Sequence, residues 1–364
     1  MKRIAILGTA HPHAFGFWNA FTKYPQEAEL LGYADVPPWD DQDPEEKART
    51  NLGEDAVRTV KRFDDYRALL DRKPDLVLVS TDNRVHGELV RETLSRGIPT
   101  VVEKPMAMDF TDAAAMAEMA RETGTFLAVN WPIAWCNAFG KAKELIDQGR
   151  IGRVMRVVYR SPATWGPYSY SGGGKLPPEN FLRKTWWYRK DRGGGALLDY
   201  ACYGAAVSTW YFGRRAERVL GLTKNFTLPG FDLEDYAAMI LDFGGGVGLL
   251  EGSWSSYNCG EIPSGPVVYG TEGTLVCDRR SSLVKVYTGR SHLAVAPAQV
   301  IDCGGTSSAA LARNVLDSLE DRRKLHPLLE PERNLDVMAA LEAGRLSAQT
   351  RKAVETAGFQ GIKG

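Results

Sequence analysis

The sequence predicts two fold classes in series. An α/β domain on a parallel sheet is expected over residues 1–128, and an α+β domain over 129–364, with an open, mostly antiparallel sheet backed by helices. Three observations carry this expectation. A chain of 364 residues exceeds what one hydrophobic core ordinarily serves. Through the first third, short apolar runs alternate with amphipathic stretches, the pattern of parallel strands joined by helical crossovers. Beyond it, strand signals follow one another across short turns, which makes neighbouring strands antiparallel.

In the first domain the runs at 3–7, 30–34, 76–80, 100–103 and 126–129 are aliphatic and β-branched, as buried strands require. Amphipathic stretches at 65–72, 87–95 and 111–123 supply helices, and Pro37-Pro38 with Asp40-Asp41 marks a loop after the second strand. In the second domain a helix at 138–148 leads into a strand at 154–161. A segment rich in glycine, proline and aromatics then runs to Arg192, followed by a helix at 196–212. Strands are expected at 218–223, 236–243, 247–254, 267–269, 274–277 and 283–287, and helices at 308–321 and 331–349.

Composition excludes several partners. Lys plus Arg and Asp plus Glu number 45 each, so the chain has no basic field to hold nucleic acid or an anionic membrane. No apolar run approaches the ~20 residues that span a bilayer. Met1-Lys2-Arg3 and the apolar residues after it resemble the start of a signal peptide, but His11, Pro12 and His13 interrupt the run, and a first buried strand explains it better. Five cysteines without a CxxC pair indicate reduced thiols and a cytoplasmic protein.

The first strand-to-helix turn is Gly8-Thr9-Ala10-His11-Pro12-His13. A dinucleotide fingerprint places glycines at its first, third and sixth positions, and here only Gly8 matches. Ala10 is a small change, whereas His13 implies a wider turn; the N–H groups opening the next helix, with His11 beside them, still suit a phosphate. Asp35 lies 27 residues after Gly8 at the end of the second strand, where a carboxylate accepts hydrogen bonds from an adenosine ribose. No Lys or Arg follows before Lys47, so a 2′-phosphate is expected to meet no cation, which favours NAD over NADP.

Lys104, in Glu103-Lys104-Pro105, stands at the carboxyl end of a buried strand, where open α/β sheets bind ligands. About ninety residues later comes Gly193-Gly194-Gly195-Ala196-Leu197-Leu198-Asp199, with Tyr203 four positions beyond Asp199. Together with Gly8, the Asn83 to His86 turn, Ile151-Gly152-Arg153-Val154, Gly270-Thr271-Glu272-Gly273-Thr274-Leu275 and Leu341-Glu342-Ala343, these segments resemble the glucose–fructose oxidoreductase / inositol dehydrogenase (Gfo/Idh/MocA) family. The resemblance covers most of the chain and implies a Rossmann-type first domain, NAD as cofactor, and a sugar, sugar-derivative or cyclitol substrate. It also implies that Thr81 and Asn83 lie along the cofactor, Glu103 near the nicotinamide ribose, and Arg189 reaching in from the second domain. His86 has two readings, a cofactor contact or a backbone-bonded histidine that shapes the turn.

Hydride transfer from an alcohol needs a proton acceptor and positive charge near the developing alkoxide. Lys104 supplies the charge, and Asp199 and Tyr203 share one face of the helix expected at 196–212. The family commonly carries histidine where this chain has Tyr203. A neighbouring ammonium lowers a phenol's pKa, so a Lys104–Tyr203 pair is expected to do that histidine's work; otherwise Lys104 or Asp199 moves the proton and Tyr203 packs. The triple glycine is expected to let backbone approach cofactor or substrate closely.

Trp165, Trp186, Trp187 and Tyr188 suit the apolar face of a sugar ring, with Lys175 near a hydroxyl or acidic group, or else they form a satellite core or subunit interface. His11-x-His13 has a metal-ligand spacing but no recognisable third ligand, so no metal is expected. Three functions fit these residues: a net dehydrogenase, an enzyme with recycled NAD performing oxidation-assisted elimination or glycoside hydrolysis, and a non-catalytic NAD or sugar sensor. A homodimer or homotetramer is expected through the second sheet.

Overall fold

The computed structural model describes residues 1–36, 43–162, 166, 177–257, 265–289, 295–305, 307 and 309–359. Its first domain runs β1 (Lys2–Leu7), α1 (His13–Phe21), β2 (Ala28–Ala34), α2 (Pro44–Asn51), α3 (Glu54–Thr59), β3 (Arg62–Phe63) and α4 (Tyr66–Leu70). It continues through β4 (Leu76–Val79), α5 (His86–Ser95), β5 (Thr100–Glu103), α6 (Phe110–Thr123) and β6 (Leu127–Asn130). The six strands form a parallel sheet in the order β3-β2-β1-β4-β5-β6. Strands β4, β5 and β6 are buried at every position, as strands covered on both faces must be. The order reverses between β1 and β4, which opens a crevice at their carboxyl ends.

Local signals set the helix ends. The Asp109 carboxylate accepts the Asp112 N–H at the start of α6, and Gly124 closes the helix at φ +63°. The Asp43 carboxylate caps α2 through the Glu45 and Glu46 N–H groups.

The second domain holds α7 (Asn137–Asp147), β7 (Val154–Pro162), α8 (Glu179–Leu182), a π-helical turn at Leu197–Ala201, and α9 (Cys202–Phe212). Strands β8 (Arg218–Lys224), β9 (Tyr236–Asp242), β10 (Val247–Ser253), β11 (Val267–Gly270), β12 (Thr274–Asp278), β13 (Leu283–Tyr287) and β14 (Gln299–Asp302) follow. Helices α10 (Ala310–Glu320) and α11 (Pro331–Thr350) and the short β15 (Val354–Glu355) end the described chain. Nine strands pair in the order β14-β13-β12-β11-β7-β10-β9-β8-β15. Only β10 with β7 is parallel; the other pairs are antiparallel.

One face of this sheet is covered by α7, α9 and α11. Helix α11 also packs on α6, and the buried Trp131 indole donates to Asn334 Oδ1 at 2.7 Å, so the two domains share one continuous core. The opposite face carries Leu220, Leu222 and Ile240, each at least 45% exposed. The sequence places the second core helix at 196–212, whereas the structure opens it with the π turn and begins regular α-helix at Cys202.

Candidate active site

The crevice between β1 and β4 is lined first by Gly8, at φ +84°. A Cβ here would stand 2.2 Å from the Thr81 methyl and 2.9 Å from the Ser80 carbonyl, so only glycine lets the two strand ends meet. The His11 N–H donates to the Ser80 carbonyl at 3.3 Å, and the Ser80 hydroxyl to the His11 carbonyl at 3.3 Å, fixing the turn that replaces a glycine-rich loop. Ala10 serves this turn through its carbonyl, which accepts the Trp186 indole N–H at 2.9 Å.

His11 is fully buried, and burial, with His13 and Lys104 nearby, holds its imidazole well below its ordinary pKa. Its Nδ1 accepts the His13 N–H at 3.0 Å, so the neutral ring carries its proton on Nε2, where it meets no partner among the described residues. The buried Asn83 Oδ1 and Asn130 Oδ1 are likewise without partners among the described residues. An unmet donor and two unmet acceptors around a strand-end crevice match the phosphate, hydroxyl and amide groups of a dinucleotide.

Three sequence expectations are corrected here, and two left open are narrowed. Asp35 does meet a cation: Lys47 Nζ lies 2.7 Å from its Oδ2, because α2 folds back over the end of β2. His86 bonds the turn through one ring nitrogen, while its buried Nε2 meets no partner among the described residues. It is buried, with Nδ1 3.2 Å from the Pro105 carbonyl, and burial lowers its pKa to about 4. Trp186, Trp187 and Tyr188 are not an open platform. The two indoles stack with centroids 3.7 Å apart, and Tyr188 packs on Trp254 and Phe231, forming a second small core with Leu182, Leu228 and Leu233. The triple glycine is required by protein contacts: a Cβ on Gly194 would meet the Trp187 carbonyl at 2.1 Å, and one on Gly195 the Glu234 carboxylate at 2.3 Å. The third correction concerns Tyr203, taken up below. Trp165 and Lys175 lie outside the described residues.

Asn83 donates from Nδ2 to the Gly193 carbonyl at 2.8 Å, joining the first domain's crevice to the second domain. Arg189 makes a two-pronged pair with Asp191 at 3.1 and 2.8 Å. Glu103 is buried; its Oε1 accepts from Asn130 and its Oε2 lies 2.9 Å from His13 Nδ1. Burial works to raise the Glu103 carboxyl, but the His13 charge and the hydrogen bonds from His13 and Asn130 prevail and hold it below its ordinary range. The ligand-type atoms of His11, His13 and Glu103 fall within 4.8 Å of one another, so the third group missing from the sequence reading of His11-x-His13 is Glu103. Hydrogen bonds among these three groups already engage His11 Nδ1, His13 Nδ1 and Glu103 Oε2.

Lys104 is 2% exposed, and its ammonium lies 3.0 Å from Asp199 Oδ1 and 3.2 Å from the Asp199 carbonyl. The second carboxylate oxygen, Oδ2, accepts the indole N–H of the buried Trp254 at 3.1 Å. Burial opposes the charge on Lys104, but the Tyr203 oxygen and the Asp199 carboxylate more than offset it and hold the ammonium above its ordinary pKa. The ammonium sits 4.7 Å from the Tyr203 ring centroid, over the aromatic face. Burial pushes the Tyr203 phenol well up, and the Lys104 charge pulls the other way without prevailing. The expected lowering of the Tyr203 pKa therefore fails, because the site withdraws the phenol from water more strongly than the cation favours phenolate.

Trp254, Lys47, His13 and Glu234 were not identified as site residues from the sequence. Glu234 Oε1 accepts the Leu197 N–H at 3.0 Å and so anchors the start of the π turn that carries Asp199. Neither Trp254 nor Glu234 belongs to a sequence motif.

Residues 3–131 match an oxidoreductase family described as an NAD-binding Rossmann fold, and residues 139–276 match the GFO/IDH/MocA C-terminal domain. The chain belongs to the GFO/IDH/MocA family of oxidoreductases. It is 29% identical over 222 residues to a dTDP-3,4-didehydro-2,6-dideoxy-alpha-D-glucose 3-reductase of Streptomyces violaceoruber, covering 60% of this chain and 58% of that one. It is 25% identical over 216 residues to the scyllo-inositol 2-dehydrogenase (NAD(+)) of Bacillus subtilis, covering 58% and 57%. The chain thus aligns with a little under three-fifths of the length of these curated relatives. An oxidoreductase domain protein of Kribbella flavida superposes with TM-score 0.76 at 21% identity, over 98% of this chain and all of that one. A Bordetella pertussis dehydrogenase solved with NADH and UDP-GlcNAcA superposes with TM-score 0.72 at 19% identity, over 97% and 99%. These superpositions establish the shared two-domain fold.

Proposed function

We propose that this protein is an NAD-dependent oxidoreductase that interconverts a secondary hydroxyl and a carbonyl on a sugar, sugar derivative or cyclitol. The observation that carries the reading is the buried Lys104–Asp199 pair, capped by Trp254 and placed at the carboxyl ends of the first sheet's strands. Gly8, Ala10, His11, Thr81 and Asn83 are the residues to hold the cofactor's phosphates and ribose, with Glu103 near its nicotinamide end. When bound, the nicotinamide supplies or accepts the hydride.

Lys104 rests protonated, so its Nζ donates to the substrate oxygen and stabilises negative charge there. In carbonyl reduction it gives up this proton, and the reverse reaction returns one. Asp199 keeps the ammonium in place with Oδ1 while Trp254 keeps Oδ2 turned away. Tyr203 supports the ammonium with its ring face and offers its hydroxyl to the same substrate oxygen. The relatives named as sugar reductases and an inositol dehydrogenase support the substrate class.

We place the second-domain sheet at a homodimer interface. Leu220, Ile240, Leu249, Val158, Val267 and Val276 pair in register across six strands on the face opposite the helices, a continuous apolar row. Among the described residues no helix is long and apolar enough to cross a membrane, and the four described cysteines are free thiols, which supports a cytoplasmic setting.

The test follows reduced nicotinamide against a panel of sugars, their keto derivatives and cyclitols. Lys104→Met is expected to lower turnover by about 10²–10⁴ while leaving NAD affinity largely intact. Tyr203→Phe keeps the ring face and is expected to lose about tenfold, and the double variant less than the product of the two effects. Full turnover in Lys104→Met would remove this mechanism.

A further inference from the structure

One side chain joins the first strand-to-helix turn to the ends of β5 and β6. His13 opens α1 at the sixth position of that turn, where a dinucleotide fingerprint has glycine. Its Nδ1 lies 2.9 Å from Glu103 Oε2; the ionised carboxylate only accepts, so the ring carries a proton on Nδ1 and donates it. Glu103 Oε2 also accepts the Lys104 N–H at 3.1 Å, while Oε1 accepts from Asn130 Nδ2. A carboxylate has about four acceptor places, and these bonds leave one open, on Oε1. Glu103 and Asn130 are register partners on β5 and β6, and the buried Asn130 Oδ1 meets no partner among the described residues. An open place on Oε1 and an unmet Oδ1 therefore adjoin at the carboxyl ends of neighbouring strands. Such a pair suits a ligand that presents two donors, as a ribose diol does. The Glu103 side chain is fully buried, whereas that of His13 is 31% exposed, so truncating His13 opens no core.

We propose that His13 is a positioning residue for the nicotinamide end of the cofactor: it holds Glu103 by Oε2, so that Oε1 and Asn130 Oδ1 stay together as an acceptor pair for the ribose hydroxyls there. The inference rests on the NAD-binding reading and deepens it, naming the group that orients one end of the ligand. A fingerprint glycine at this position lets the helix pack closely on the strand. Here α1 is instead tied to β5 by a charge-assisted hydrogen bond. The Lys104 N–H and Asn130 remain on Glu103 when His13 is removed, so the pair loosens and is not abolished. The adenosine end should not feel the change. Its expected contact, Asp35, follows β2, and β1 and β4 stand between β2 and β5 in the sheet.

The experiment measures dissociation constants of the full chain for AMP, ADP-ribose and NAD by calorimetry, with melting temperatures alongside. AMP carries only the adenosine end, and ADP-ribose adds the second ribose without the nicotinamide. His13→Ala is expected to bind ADP-ribose and NAD about tenfold more weakly than wild type, and AMP within about twofold of it. His13→Asn, whose Nδ2 stands near the place of the ring Nδ1, is expected to recover most of the loss. His13→Leu keeps bulk without a donor; it is expected to match alanine, and it carries the test if the alanine variant does not fold. In a Glu103→Gln background His13→Ala is expected to add little, as for two residues acting through one contact. A loss that AMP shares equally makes His13 a residue of the turn only and overturns the proposal. So does a His13→Asn no better than His13→Leu, or a full further loss in the Glu103→Gln background, which would mean that His13 meets the ligand itself. Wild type that binds neither ADP-ribose nor NAD overturns the NAD reading itself, a separate result.

Discussion

Trp254→Phe isolates the least expected part of the site. Trp254 is 1% exposed, and its indole N–H donates to Asp199 Oδ2 at 3.1 Å while Lys104 takes Oδ1 at 3.0 Å. Phenylalanine retains most of the ring that packs on Tyr188, whose centroid lies 5.4 Å away, and removes the donor. A hydrogen bond to a charged group contributes about 1.5–3 kcal/mol, and its loss leaves a buried carboxylate oxygen unmet. Since about 1.4 kcal/mol is tenfold in rate, a carboxylate that no longer fixes Lys104 should lower kcat by about ten- to a hundredfold. The assay is steady-state turnover on the best substrate of the panel, with KM for NAD and melting temperature measured in parallel. KM for NAD should hold, because Trp254 belongs to the second domain's small core. In an Asp199→Asn background the same change should add little, the mark of two residues acting through one contact. A lowered melting temperature with kcat within about twofold of wild type would refute the argument and make Trp254 a packing residue only.

Acid should destabilise the fold through its buried histidines. Burial holds His86 and His326 near a pKa of about 4, and His11 is also held low. Each is neutral in the fold but titrates near ~6.5 when unfolded, so the unfolded chain binds more protons between these values. Stability is therefore complete above pH ~6.5 and falls as pH drops toward about 4, each group contributing up to about 1.4 kcal/mol per pH unit. Urea unfolding at neutral and mildly acidic pH checks this; His326→Gln should flatten the dependence, and a flat wild-type profile would contradict it. Ile240→Lys, second in the apolar row, should shift the proposed dimer to monomer by light scattering at micromolar concentration. A wild type already monomeric there would end the interface reading.

The parts of the site that lie within short motifs were legible before the structure. Lys104 follows a buried strand directly, and Asp199 follows a glycine run, so each could be placed by its own neighbours. Five strands of the parallel sheet and seven of the mostly antiparallel second sheet were legible from the spacing of apolar runs, whereas the edge strands β3, β14 and β15 were not. Contacts made only by folding were not. His13 and Glu103 meet across 90 residues and Trp254 and Asp199 across 55, and neither pair has a local pattern. Lys47 is distant from Asp35 along the chain, and only the return of α2 brings the two together. For Tyr203 the sequence supplied the neighbouring cation but not the depth of burial, and burial set the sign. The aromatic segment has the composition of a sugar platform; only packing shows Trp186, Trp187 and Tyr188 turned on one another.

The π turn at Leu197–Ala201 gives the site a sensitivity to chain length. It is a wider turn than the α-helix it precedes, the form a helix takes when one residue is added to a turn. Deleting one residue there would restore regular winding, and Asp199, inside the turn, would lose the direction that the wider turn gives it. Asp199 would leave Lys104 and Trp254 together, although no side chain of the pair had been replaced. In a lineage descended from this protein, a single lost codon in that turn could silence the chemistry while leaving both cores and every recognisable motif in place.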